Sequence, residues 1–461
     1  MGNEPVQNPA LHPPLGGAAA AAYLEPNGSP QQQENRIRVE EKLSPSRTLL
    51  YGVQHVFVSN VWLDPLFIAA AAGLPLALAS NLVNAIFIGA GLVTLLQAAR
   101  LARLPIIQGP SAAFDALMIS AGKAGSLAAA GGAILISALV VFLAAVTGLL
   151  GRASVLFRPV VSGTVIFIVG IALSGFTLSE FLGGSPGTPG FASTQTLMMS
   201  LPTALIVIIL SLFGRGMLRS FAFLIALIAG DFIALLLGRI EWGSIADKAW
   251  FGLPQLLPYG PLELNWPVFL TFFIAYIAAV IEAMGVYQAA AQITDADLNP
   301  GQIRRGFAGE AAGSAVSTLF GGFPTTAYGQ NVGLLRLTRI GSRYPVMVAG
   351  ALFLVLGFIP KAGAVLALTP SPVIGGIFLP AAASLIFTGL SGLMRMERTD
   401  ANFMIAGLSI LLAISLPAYG GGFPGMAGTL LSNSVIVGAA SAIILHLILI
   451  DLPRVIQKGE S

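Results

Sequence analysis

Apolar runs alternate with short polar connections over most of the chain. They fall near residues 48–72, 76–99, 105–122, 127–150, 160–176, 199–213, 218–238, 266–292, 306–321, 324–336, 344–360, 363–390, 402–417 and 427–450. A helix needs about 20 mostly apolar residues to cross a bilayer, so the pattern predicts about fourteen spans, several of them short. Lys and Arg collect in cytoplasmic loops. Alternate loops hold Arg100 and Arg103, Arg152 and Arg158, Arg215 and Arg219, Arg304 and Arg305, Arg336, Arg339 and Arg343, then Arg395 and Arg398. The opposite loops hold Lys123, Arg239, Lys248 and Lys361. An even number of spans with both termini in the cytoplasm accommodates every one of these residues.

Two of the runs are interrupted from within. The stretch 321–339 carries Gly321, Gly322, Gly329, Gly333 and Pro324 among Thr and Asn side chains that compete for backbone hydrogen bonds. Residues 104–114 are broken in the same way by Pro105, Gly109 and Pro110. Inside a bilayer, irregular backbone is tolerated only where it is buried in protein or lines a cavity. Each interruption falls in the third span of its half. Seven spans followed by seven enter the membrane from opposite sides, which predicts an inverted repeat whose broken segments meet at one binding cavity near the midplane.

Composition agrees with this picture and removes alternatives. The chain is 56% hydrophobic and 9% charged, with a mean hydropathy of +0.85, whereas soluble domains are roughly a quarter charged. Its net charge of +3 is spread over short loops, which gives no basic stripe for nucleic acid. Cysteine is absent and the three histidines lie far apart, so neither a thiol nucleophile nor a metal cluster is expected, and an intramembrane enzyme is not favoured. Residues 1–47 are rich in Pro, Gln, Gly and Asn and read as a disordered cytoplasmic tail without a cleaved signal peptide. A transporter domain follows over 48–450, with a first repeat over about 48–238 and a second over about 266–450. Residues 451–461 form a cytoplasmic C-terminal tail.

Ionisable groups within the spans carry the candidate chemistry, because burying a charge costs several kcal/mol unless it is paired or neutralised. Glu282, along the eighth span, is either a ligand-binding carboxylate or a protonated packing group. Glu310, in the ninth, binds a coupling proton or caps a break before Gly313. His55, beside Gln54 in the first span, belongs to a buried polar network or shuttles a proton. Asp115 follows the first interruption. Asp64 and Asp231 lie near span ends and read as solvated or capping groups, and His446 reads as packing. Gln330 and Asn331, in the second interruption, carry amides that donate and accept at once. With an aromatic face from Tyr328 or Trp62, such a set suits a neutral heterocycle of alternating N–H and C=O groups. For either ring alone, core packing or an interfacial position is the plainer reading.

These residues also resemble a known family. Gln330-Asn331-Val332-Gly333, followed by Thr338 and Arg339, is similar to the signature of the nucleobase-ascorbate transporters, the nucleobase-cation symporter-2 family. Gln54-His55 resembles the family's first-span pair and Glu282 to Gly285 its eighth-span motif. Glu310 stands where purine-transporting members keep an acidic residue. The resemblance covers about residues 45–450. It implies an all-α polytopic protein of fourteen spans in a seven-plus-seven inverted repeat, with core and gate domains and short strands in spans three and ten. It further implies a homodimer in a lipid bilayer and uptake coupled to H⁺ or, less often, Na⁺, with no bound cofactor. Carried over, Glu282 and Gln330 hydrogen-bond the base, with Asn331 beside them, Tyr328 lines the pocket, and His55 and Glu310 belong to the coupling network.

Gln330 is shared with the family's xanthine and urate carriers, whereas its uracil carriers tend to have Glu there. An oxidised purine is therefore expected, imported across a bacterial inner membrane. A uracil or other pyrimidine permease and a sulfate-permease-like anion carrier of the same fold are the alternatives. The chain departs from the family pattern at three places. Ala112 replaces a usual aromatic, Asp115 replaces an apolar residue, and Trp62 falls where a small residue normally abuts the base. The exchange of rings predicts that Trp62 stacks on the base where Ala112 cannot.

Overall fold

The computed structural model describes residues 37–152, 158–246 and 248–453. Residues 1–36 of the tail expected over 1–47, and the end of the chain from 454, lie outside them. The first span is two helices, α1 (Pro45–Ser59) and α2 (Leu63–Ala71), and α3 (Leu76–Ala99) follows. The interrupted third segment contains β1 (Gln108–Pro110) and α4 (Asp115–Lys123). Three long helices and one shorter one complete the first half: α5 (Leu127–Thr147), α6 (Pro159–Leu182), α7 (Thr194–Phe213) and the shorter α8 (Ala222–Leu236). The second half opens with α9 (Trp266–Thr294) and α10 (Pro300–Leu319). Its interrupted segment contains β2 (Thr325–Ala327) and α11 (Gly329–Thr338). Then come α12 (Arg343–Gly357), α13 (Pro360–Ala367), α14 (Ser371–Leu393), α15 (Asp400–Ser415) and α16 (Ser434–His446).

Among the described residues, seven helices are long and apolar enough to cross a membrane, or eight if α12 and α13, bent by 84°, count as one. Most of the others are short or broken, and α10, at 20 residues, is long but carries Arg304, Arg305 and Glu310. The apolar run expected over 363–390 is itself divided, because Pro370 stands just before α14.

The helices pack in two groups. In one, α3 lies against α12, α13 and α10, while α5 lies against α9 and α10. In the other, α6 runs along α14, with α7, α8, α15 and α16 around that pair. Glycines set the closest approaches. A Cβ on Gly91 of α3 would stand 2.6 Å from Leu354 N of α12, and one on Gly389 of α14 would stand 2.2 Å from Phe167 N of α6. Backbones come this near only where side chains are absent, which is how helices associate where no hydrophobic driving force separates them from lipid.

The N-terminal tail ends earlier than residue 47. Residues 37–41 pair with the loop after α11: Ile37 N donates to Arg339 O at 3.2 Å, Gly341 N to Ile37 O at 2.9 Å, and Arg343 N to Val39 O at 3.1 Å. Glu40 accepts from Arg343 Nη2 and from Arg103 Nη2, each at 2.9 Å. The polar composition that suggests disorder is here the means of attachment, because its carbonyls and carboxylate meet unpaired donors.

Candidate functional site

The two interruptions meet. β1 and β2 form an antiparallel pair in which Gln108 faces Ala327, Gly109 faces Thr326 and Pro110 faces Thr325. Their flanks are paired as well: Tyr328 N donates to Ile107 O at 2.9 Å and Ser111 N to Pro324 O at 3.0 Å. Side chains supply the rest, since Gln108 N donates to Thr94 Oγ1 at 2.8 Å and Thr325 N to Ser314 Oγ at 3.1 Å. Extended backbone survives at this depth because each half satisfies the other. Two half-helices start from the crossing, α4 at Asp115 and α11 at Gly329. Their N-termini bring free N–H groups and partial positive charge to one place, and Asp115, in the first turn of α4, is an acidic residue at such a position.

The first span contributes a third break. Asn60 closes α1 in the left-handed conformation at φ 55°, which Asn tolerates better than most residues. The run expected to be continuous over 48–72 therefore divides beside the crossing. Asn331 Nδ2 lies 3.0 Å from His55 Nδ1 and donates to His55 O at 3.2 Å, so two residues that the sequence assigns to different roles belong to one buried network. Trp62 follows the break and is 6% exposed within the apolar core, which excludes an interfacial anchor. Ala112 is half-buried in a single turn between β1 and α4, and the nearby Phe114 ring packs on Tyr276 at 5.7 Å.

Asp64 is not a solvated or capping group. It is 6% exposed and accepts from Tyr328 Oη at 3.1 Å. The break at Asn60 carries α2 inward, so a residue that looks terminal in the sequence sits beside β2. Asp231 is likewise partly withdrawn from solvent and accepts from Thr369 Oγ1 at 3.0 Å. His446 has polar company, with Nδ1 3.4 Å from Asp451 Oδ2.

Glu282 lies on α9, one turn beyond Ala279, whose carbonyl accepts from Thr326 Oγ1 of β2 at 3.3 Å. It is half-buried, and Gly285, Gln288 and Gln292, which follow along the same face of the helix, are exposed. A Cβ on Gly285 would meet nothing within 4 Å. An exposed polar face of α9 therefore runs from Glu282 toward the C-terminal end of the helix, the end that precedes Arg304 and Arg305. Gln330 is exposed too, whereas Asn331 is buried. Asp64, Asp115 and Glu282 lie within electrostatic reach of one another, so first, third and eighth spans bring three carboxyl groups into one region. Among the described residues no cluster of three or more His, Asp or Glu side chains could hold a metal ion.

Glu310 forms a second polar centre behind the crossing. Tyr287 Oη donates to Glu310 Oε1 at 2.8 Å, and Gln97 Nε2 donates to Tyr287 Oη at 2.8 Å and to Gly306 O at 2.7 Å. α10 is unbroken across Gly313, so Glu310 caps nothing. Gly313 instead makes room for Val93, to which a Cβ would come within 1.8 Å. Tyr287 and Gln97 escape a reading of the sequence, and Asp64 reads there as a solvated or capping group, because their partners lie in other spans. Tyr287 alone carried a signal, five residues after Glu282.

The chain is similar to known transporters over almost its whole length. The family model Xan_ur_permease, described as a permease family, matches residues 46–421. Uric acid permease PucK of Bacillus subtilis is 30% identical over 418 residues, covering 88% of this chain and 96% of that protein. Xanthine permease of the same organism is 27% identical over 412 residues, covering 87% and 93%. Among solved structures, the transmembrane domain of a cyanobacterium bicarbonate transporter, BicA, superposes with a TM-score of 0.61 at 18% identity, covering 88% of this chain and all of that one. At that identity the likeness shows a shared fold and nothing about the cargo. The family match and the full-length relatives identify the chain as an integral membrane permease of the nucleobase-ascorbate transporter family, not an enzyme.

Proposed function

We propose that this permease imports an oxidised purine such as xanthine or urate together with a proton, Na⁺ being the less favoured ion. Glu282 accepts hydrogen bonds from ring N–H groups, and Gln330 offers the complementary donor and acceptor. Tyr328 and Trp62 supply the aromatic walls, with Ala112 leaving space opposite. Asn331 is held by His55 rather than by the ligand, and so sets the position of Gln330 next to it. His55, Glu310 and Asp115 form the coupling set. No resident cofactor takes part.

The observation that carries this reading is the half-buried Glu282 at the head of an exposed polar face of α9, one helical turn from the contact of Ala279 with the paired strands. A carboxylate at the end of an accessible path, among uncharged amides, suits a neutral ligand with N–H donors. It disfavours an anion, whose charge Glu282 would repel. The relatives named for uric acid and xanthine support a purine cargo, and a pyrimidine remains the alternative. The buried carboxyl group of Glu310, held in a hydrogen-bonded network with Tyr287, supports H⁺ coupling.

The same reading assigns fourteen spans in a seven-plus-seven inverted repeat. The helix group around the paired strands is the core domain and the group around α6 and α14 the gate domain, over a transporter region 48–450. Both termini face the cytoplasm of a bacterial cell, and the protein works as a homodimer in the inner membrane. Uptake of radiolabelled xanthine, urate, uracil and sulfate into proteoliposomes, with and without an imposed pH gradient, tests it. Purine uptake that follows an inward proton gradient is expected. Sulfate uptake without purine uptake would overturn it.

A further inference from the structure

Asp64 is the buried carboxyl group near the crossing to which the roles above assign nothing. It occupies the first turn of α2, directly after the break at Asn60, and receives the Tyr328 hydroxyl at 3.1 Å. The Tyr328 ring lies against β1, where a Cβ on Gly109 would stand 2.7 Å from Cδ2 and Cε2. The phenol is thus held at both ends, by the bare backbone of Gly109 and by Asp64. Neither constraint is local in sequence: Asp64, Gly109 and Tyr328 come from the first span and the two interruptions.

A phenol has one hydrogen to donate, and an ionised carboxylate can only accept. With that hydrogen committed to Asp64, the Tyr328 oxygen offers lone pairs to any further partner. We propose that Asp64 is a positioning residue that sets ligand specificity: by taking the Tyr328 hydrogen it makes the phenol oxygen an acceptor, which favours bases presenting ring N–H groups over bases presenting bare ring nitrogens. This rests on the purine reading of the same site and adds to it a selection for ring oxidation, because each added ring carbonyl of a purine converts a bare neighbouring nitrogen to N–H. Glu282, within electrostatic reach of Asp64 and Tyr328, adds a second acceptor. A site built to bond one pattern rejects the complementary one strongly, since its polar groups are then left unpaired.

Binding of xanthine and hypoxanthine to the full-length protein in proteoliposomes tests the proposal, because the two differ by one ring carbonyl and one ring N–H. Asp64→Asn substitutes a side chain that can itself donate to the phenol oxygen, which releases the phenol hydrogen toward the ligand. The preference for xanthine over hypoxanthine should fall about tenfold or more in Asp64→Asn and also in Tyr328→Phe. The double variant should be no worse than either single one, and Asp64→Glu should keep most of the preference. An unchanged ratio in Asp64→Asn, or additive losses in the double variant, would overturn the proposal. If Asp64→Asn does not yield monodisperse protein, Tyr328→Phe decides alone, and an unchanged ratio there overturns it equally. A wild-type protein that binds both bases without preference sinks this inference only, whereas one that binds neither base sinks the purine reading itself.

Discussion

Tyr287 donates its phenol hydrogen to Glu310 Oε1 at 2.8 Å, joining α9 to α10 behind the paired strands. The bond links the helix that bears Glu282 to the acidic residue of the ninth span. It is in turn anchored by Gln97 on α3, which bonds both Tyr287 Oη and Gly306 O. On the reading proposed above, a proton arriving at Glu310 would change what that carboxyl group can accept, and Tyr287 would carry that change to α9.

Glu310→Gln should therefore retain base binding and lose gradient-driven accumulation. Tyr287→Phe should keep the carboxyl group and weaken the coupling. Equilibrium binding and uptake, each measured with and without an uncoupler, separate the two effects. Accumulation that persists in Glu310→Gln and still collapses with the uncoupler would place the coupling proton elsewhere.

Glu282→Gln should abolish transport in a folded protein. It replaces a charged acceptor for ring N–H groups by an amide, and a hydrogen bond to a charged group contributes about 1.5–3 kcal/mol. Xanthine binding measured by calorimetry should weaken accordingly. Near-normal affinity would make Glu282 a packing group.

Gln330→Glu exchanges an amide that donates for a carboxylate that only accepts. The side chain is exposed, so the change should leave folding intact and shift preference among bases. A competition panel of xanthine, urate and uracil reads it. An unaltered profile would show that Gln330 does not touch the ligand.

Trp62→Ala should weaken base binding roughly tenfold or more, since stacking a base on an aromatic face is worth about 1–3 kcal/mol. Ala112→Phe should either clash with Trp62 or rescue Trp62→Ala. A double-mutant cycle on binding decides, because additive losses would mean that the two positions do not share a ligand.

Glu40 gives a prediction outside the membrane. The Arg343 guanidinium bonded to Glu40 holds its carboxyl below the usual carboxylate range, with Arg103 adding to the effect. A depressed pKa stabilises the folded state above the unfolded carboxylate pKa, and the contribution is lost as the pH falls through the folded value. Glu40 is more than half exposed, so solvent limits the pair to about 1 kcal/mol or less. Thermal midpoints of purified protein should fall on acidification in the wild type. They should fall less in Glu40→Gln, which should be the less stable of the two near neutral pH. Parallel pH profiles would remove Glu40 from the attachment of the tail.

What the sequence by itself determined follows from local rules. Apolar runs of crossing length dictate a membrane protein, because unsatisfied backbone is intolerable in lipid. Pro105, Gly109, Pro110, Pro324 and Gly329 dictate where helices must break, because Pro and Gly act on their own residues. Glu282, Gln330 and His55 stood out because polar groups are costly in such runs. Tertiary structure decided what these groups meet. Gln108 faces Ala327 across more than two hundred residues, and no spacing rule reaches that far. Asp64 looked terminal until the left-handed Asn60 turned α2 inward to Tyr328. Residues 37–41 looked free until Arg343 and Arg103 met Glu40. In each case the local pattern specified a polar group, and only the packing of distant spans supplied its partner.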